Sequence, residues 1–174
     1  RTGCKATYTK TLQTYYKASN IKLSKTAYTY NGKVQKPSVT VKNSKGKALK
    51  STDYKIDYPK GMKNVGKYTV KVTLKGNYSG TKSLTYNINP KGTGVSKVKA
   101  AKKGFKVTWK KQATQTTGYE VQYSTASNFK KGNKTVTVSK NKTTSKSVSK
   151  LSAKKKYYVR VQAYVNQGKK SYSG

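Results

Sequence analysis

Apolar and polar positions alternate with a period of two along most of this chain. Val39 and Val41 share one side of a short run, and Tyr54, Ile56 and Tyr58 share the next. Tyr68, Val70, Val72 and Leu74 are interleaved with Thr69, Lys71 and Thr73, and Leu84, Tyr86 and Ile88 follow. Beyond residue 90 the runs are Phe105, Val107 and Trp109; Tyr119, Val121 and Tyr123; Val136 and Val138; and Tyr157, Val159 and Val161. Successive side chains of a strand point to opposite faces of its sheet, so this alternation predicts strands with one face buried and one wet. No segment carries a 3.6-residue apolar stripe. Turn signals separate the runs: Asn31-Gly32, Ser44-Lys45-Gly46, Asn64-Val65-Gly66, Gly76-Asn77, Lys103-Gly104 and Lys131-Gly132-Asn133. Many short strands at this spacing predict an all-β fold built as β-sandwiches.

The alternation is interrupted at Asn89-Pro90-Lys91-Gly92-Thr93-Gly94 and then restarts. The expected organisation is two tandem β-sandwich domains, over residues 22–90 and 91–174. Residues 1–21 alternate only weakly, through Tyr8, Leu12, Tyr15 and Tyr16. They are expected to be an N-terminal arm, a linker or a strand of a preceding domain. As an arm, they are a candidate for self-assembly by adding to an open sheet edge of a neighbour. The final strand, at Ser171-Tyr172-Ser173-Gly174, is expected to be truncated or distorted.

Charge sharpens the functional picture. The chain of 174 residues has 40 Lys and Arg against 3 Asp and Glu and no His, a net charge of +37. The only arginines are Arg1 and Arg160. The excess divides evenly between the two halves, so it coats both domains rather than forming a tail. Lysine is a hydrated point charge, whereas arginine is the residue of planar, bidentate recognition. A lysine coat therefore suits diffuse polyanions: an anionic wall polymer, an acidic glycan, or nucleic acid bound without sequence preference. The plainer reading is a solvated surface, in which outward lysines such as Lys71, Lys75, Lys106 and Lys110 also discourage edge-to-edge sheet aggregation.

The same composition argues against an active site. General acid–base work needs a group titrating near the working pH, and a hydrolytic metal needs a set of His, Cys, Asp or Glu ligands. The carboxylates are Asp53, Asp57 and Glu120 alone. Asp53 and Asp57, four residues apart, are expected to be turn and ladder residues neutralised by lysines. Glu120 is expected to make a cross-strand pair with a lysine or with Arg160. Ser, Thr and Cys4 have no base to activate them. The expected chain is not an enzyme and takes no cofactor and no metal. No stretch approaches the ~20 apolar residues of a membrane span. Of the 16 Tyr, most alternate in phase with Val and Ile and belong to the core. Tyr15, Tyr16, Tyr158, Tyr164 and Tyr172 are expected to be exposed.

Residues 95–174 carry Phe105-Lys106-Val107-Thr108-Trp109, then Gly118-Tyr119-Glu120-Val121-Gln122-Tyr123, then Leu151 six residues before Tyr157 in a Tyr-x-Val-Arg-Val run. This half resembles a fibronectin type III domain. The resemblance implies a core built on Trp109, Tyr119, Leu151 and Tyr157, with the Tyr157 hydroxyl tied back to nearby backbone. Residues 22–90 carry Tyr28-Thr29-Tyr30-Asn31-Gly32-Lys33, Pro37-Ser38-Val39-Thr40-Val41, Asn64-Val65-Gly66-Lys67-Tyr68, and Tyr86-Asn87-Ile88-Asn89-Pro90. They resemble an Ig-like module of large extracellular proteins of Gram-positive gut anaerobes. The two resemblances imply a non-enzymatic structural or adhesive segment of a secreted or cell-surface bacterial protein. Its expected partners are anionic wall polymer, acidic glycan or like subunits, the last as an extracellular fibre. The competing readings are a nonspecific nucleic-acid binder and a spacer for a catalytic domain elsewhere.

Overall fold

The computed structural model describes residue 18, residues 20–168 and residues 170–174. Cys4 and the candidate arm residues Tyr8, Leu12, Tyr15 and Tyr16 lie outside the described residues. The fold is all-β. The strands are β1 (Asn20–Leu23), β2 (Ala27–Thr29), β3 (Val39–Lys42), β4 (Tyr54–Asp57), β5 (Gly66–Leu74), β6 (Thr81–Asn89) and β7 (Val95–Ala101). They continue with β8 (Gly104–Trp109), β9 (Gly118–Ser124), β10 (Lys134–Val138), β11 (Ser145–Val148), β12 (Tyr158–Gln167) and β13 (Lys170–Ser173). A 3-10 turn, Ser51–Asp53, precedes β4. The sheets are ordered β1-β3, β2-β6-β5-β4, β11-β8-β7 and β10-β9-β12-β13.

By packing, the chain falls into two compact units. One holds the described part of residues 1–24 with Pro37–Pro59 and Thr69–Leu84; the other holds Lys25–Lys36, Lys60–Tyr68 and Thr85–Gly174. In the first, β1 and β3 pair antiparallel with Ile21 opposite the buried Val41, and β4 pairs with β5 with Ile56 opposite the buried Val72. The turn after β3 is held by Asn43, whose Oδ1 accepts the N–H groups of Lys45 and Lys47 at 3.0 Å each. An Asn side chain standing in for backbone in this way is why the type is favoured in turns. Gly46 completes the turn at φ +78°, a conformation that L side chains rarely adopt.

In the second unit β2 runs parallel to the end of β6, with Tyr28 opposite Ile88. Tyr86 is buried there, and its hydroxyl donates to the Gln35 carbonyl at 2.9 Å. The larger core of this unit lies between β11-β8-β7 and β10-β9-β12-β13. Phe105, Val107 and Trp109 of β8 meet Tyr119, Val121 and Tyr123 of β9 and Val161 and Ala163 of β12. The Trp109 and Tyr119 rings pack edge to face with centroids 5.3 Å apart. Two glycines make the close approaches possible: a Cβ on Gly118 would enter the Val138 carbonyl oxygen, and one on Gly104 the Val148 carbonyl oxygen.

Three expectations need correction. The last strand is not distorted: β13 pairs antiparallel with β12, from Tyr164 opposite Ser173 to Gln167 opposite Lys170. Tyr164, expected at the surface, is 4 % exposed although it alternates with the exposed Arg160 and Asn166, because it lies between Gly118 on β9 and Ser173 on β13 and packs over the bare glycine. Glu120 does pair across strands, but its partner is Gln162, directly opposite on β12. Arg160 instead donates from Nε to Gln122 Oε1 at 2.7 Å.

Candidate polyanion interface

The three carboxylates are dispersed, each by its local structure. Asp53 closes the 3-10 turn, where its Oδ2 accepts the Lys50 N–H at 3.3 Å. Asp57 ends β4 and holds the Lys55 ammonium at 2.7 Å, with both side chains largely exposed. Glu120 is spent on Gln162. Among the described residues no three His, Cys, Asp or Glu come together. The surplus of lysine thus has no internal carboxylate to meet, and the strands turn it outward: Lys97 and Lys99 on β7, Lys106 on β8, Lys134 on β10 and Lys146 on β11 are all exposed.

One end of the second unit concentrates this charge. The β7–β8 turn contributes Lys102 and Lys103. The loop from β11 to β12 contributes Lys150, Lys154, Lys155 and Lys156. The two are joined by backbone, since the Leu151 N–H donates to the Lys103 carbonyl at 2.9 Å. Three of these residues are in the left-handed conformation: Lys103 at φ 50°, Lys150 at φ 60° and Lys154 at φ 59°. Positive φ is uncommon outside glycine, Asn and Asp, and strained positions of this kind gather where function over-rides local preference. A cavity of about 360 Å³ opens between these lysines. Its apolar wall is Val98 and Ala100 of β7, Phe105 of β8, Leu151 and Tyr157 of the loop before β12, and Val159 of β12.

The residues singled out by the sequence take these places. Trp109 and Tyr119 are 3 % and 0 % exposed, and Leu151 is buried in the same cluster. Tyr157 packs against that cluster, with its ring 6.3 Å from that of Tyr123, and its hydroxyl accepts the Ser152 N–H at 3.3 Å. Trp109 Nε1 is buried without a hydrogen-bond partner, so this indole contributes packing rather than a polar tie. Elsewhere basic groups lie over rings: Arg160 is 4.4 Å from the Phe129 centroid, Lys156 5.1 Å from that of Tyr158, and Lys25 5.0 Å from that of Tyr28. Such contacts cover part of each ring with a cation that remains open to an anion.

Sequence reasoning missed the lysine end. The run Lys154-Lys155-Lys156 was visible, and so was Lys102-Lys103, but they are some fifty residues apart. The pairing of β11 with β8, which ends at Val148 opposite Phe105, and the backbone bond from Leu151 to Lys103 bring them together.

Residues 88–174 match the fibronectin type III domain family. No curated protein matches the sequence. Among solved structures, the chain is similar to the FN1–FN3 domains of chicken CNTN1 at 16 % identity and a TM-score of 0.39, over 92 % of this chain and 67 % of that one.

Proposed function

The chain belongs to the fibronectin type III domain family, and from that premise we propose that it is a non-enzymatic structural or adhesive segment of a secreted or cell-surface bacterial protein, attached through its lysine surface to an anionic polymer. Fibronectin type III domains are typically non-catalytic scaffold modules and are common in extracellular proteins. On this reading residues 22–90 form an Ig-like domain and residues 91–174 the fibronectin type III domain. No helix among the described residues is long and apolar enough to cross a membrane.

The observation that carries the proposal is the margin of charge. A net of +37 leaves nearly every lysine without a carboxylate of its own. Binding then proceeds by release of counterions from a charged polymer and by long-range attraction, and it weakens steeply with salt. The scarcity of arginine, and the absence of a recognition helix among the described residues, favour a polymer read by charge over a base sequence read in a groove.

The test is light scattering after size-exclusion chromatography, across salt, with and without purified wall teichoic acid. Attachment is expected as a shift in mass with the polymer that reverses at high salt. A protein indifferent to the polymer at low salt overturns the proposal. Duplex DNA of matched charge is the comparator: DNA bound more tightly than the wall polymer would move the function to nucleic acid. Large regular particles without any polymer would identify a fibre subunit.

A further inference from the structure

The edge strand β7 carries its apolar residues on the wrong side for solvent. Directly opposed residues of an antiparallel pair project to the same face. Val95 is opposite Trp109, Val98 opposite Val107, and Ala100 opposite Phe105. Those three β8 residues are core. Val95, Val98 and Ala100 therefore face inward, yet Val95 is 38 % and Val98 47 % exposed. Every residue of β7 is exposed, and among the described residues no strand covers its outer edge. The sandwich is open here, and the cavity of about 360 Å³ is the opening: Val98 and Ala100 form one lip and Tyr157 and Val159 the other. Lys103, Lys154 and Lys155 stand at its mouth.

A free strand edge, an uncovered apolar strip and a basic rim define a ligand. We propose that this edge docks an extended acidic peptide segment of another protein, whose main chain adds to β7, whose apolar side chain enters the cavity and whose carboxylates meet the lysines. Strand addition gives affinity through main-chain hydrogen bonds, and alternate side chains give selectivity. Charge complementarity selects the occupant. A second copy of this chain brings its own +37. Residues 1–17 carry Arg1, Lys5, Lys10 and Lys17 and no acid, so the chain's own N-terminal stretch is repelled in the same way. The inference rests on the polyanion-facing reading of the lysine coat and narrows it to one place and one chemistry.

The probe is a fluorescent, end-capped peptide of alternating Glu and Val, matched to the seven residues of β7, titrated by anisotropy into the full chain at about 150 mM salt, where diffuse surface attraction is screened. Three comparison ligands are a Glu-only peptide of equal charge, the Glu/Val peptide with proline at alternate positions, and phosphatidylserine vesicles. The variants are Val98→Asp, Lys103→Glu with Lys155→Glu, and a comparison pair that does not line the cavity, Lys22→Glu with Lys82→Glu, each checked for an unchanged fold by its melting curve. Val98 is solvent-exposed, so its replacement is compatible with folding.

The expected result is that Val98→Asp and the Lys103/Lys155 pair each weaken the Glu/Val peptide by about tenfold or more, while the Lys22/Lys82 pair weakens it by less than about twofold. The proline-interrupted and Glu-only peptides are expected to bind at least about tenfold more weakly, lacking the main-chain donors or the anchor. Equal losses from the cavity-lining and the comparison lysine pairs would overturn the site and leave the general polyanion reading standing. Glu-only binding as tight as Glu/Val would do the same. Vesicle binding that depends on Val98, without peptide binding, would replace the peptide by a lipid surface. No binding of any anion at any salt would remove both readings together.

Discussion

The Tyr157 hydroxyl accepts the backbone N–H of Ser152, 3.3 Å away. That bond closes the loop between Leu151 and β12 and holds it against the core, with Leu151 buried and Tyr157 half-buried. Tyr157→Phe keeps the ring against Tyr123 and removes only the acceptor. Ser152 is exposed, so water replaces the lost partner, and the expected loss is about 0.5–1 kcal/mol. Chemical denaturation with an unchanged slope checks it; a loss several times larger would mean that the loop itself had come away.

Gly118 is a packing position. Gly118→Ala drives a methyl into the Val138 carbonyl and against the Tyr164 hydroxyl, 3.0 Å from where the Cβ would sit. Backbone cannot retreat as a side chain can, and the expected cost is about 2–3 kcal/mol or more. The same change at Gly94, where nothing lies within 4 Å, is the matched control and is expected to be near neutral.

The left-handed lysines set stability against binding. Lys103→Gly and Lys154→Gly relieve strain at φ 50° and φ 59°. Each is expected to leave stability unchanged or raise it by up to about 1 kcal/mol, the relief being partly offset by the freer unfolded chain. Both variants should bind acidic peptide less well. Thermal melts paired with anisotropy would show the two effects moving in opposite directions.

Tyr68 gives a pH signature. Burial pushes its hydroxyl above the usual tyrosine range, a backbone hydrogen bond at Asn64 opposes this, and nearby Tyr172 adds to the rise. The folded state holds the proton more tightly than the unfolded one. Its contribution is therefore complete below the ordinary tyrosine pKa and is lost as pH climbs through the raised value. The fall in stability above about pH 10 is expected to be shallower in Tyr68→Phe than in the parent. The difference between the two curves cancels every other titrating group.

Salt should stabilise this protein. Lysines crowd one another over the whole surface with few carboxylates between them, and screening relieves that repulsion. The melting temperature is expected to rise from low to moderate NaCl. A flat or falling curve would show that the lysines are spaced widely enough not to repel.

Strands with buried faces were legible in the sequence, and those without were not. β5, β8 and β9 bury alternate residues, and their alternation is plain: Val70 and Val72, Phe105 to Trp109, Tyr119 to Tyr123. β7 buries nothing, so Val95-Ser96-Lys97-Val98 has no reason to alternate, and a bulge between Val95 and Lys97 breaks its register as well. β11 offers one buried residue, Val148. The candidate interface was half legible. The charge could be counted, but its concentration depends on two turns far apart in sequence meeting at Leu151 and Lys103. Tyr164 was misread because a tyrosine between Ala163 and Val165 breaks alternation: all three are buried at the end of β12.

The parallel pairing of β2 with β6 has a mechanical consequence. Ala27–Thr29 and Asn87–Asn89 run in the same direction, and the chain enters the first from its N-terminal side and leaves the second from its C-terminal side. Tension applied through the polypeptide pulls the two strands oppositely along their common axis. Their hydrogen bonds are then loaded together, in shear, rather than peeled one after another. A segment tethered at both ends would resist stretching at this joint until the whole ladder gave way at once.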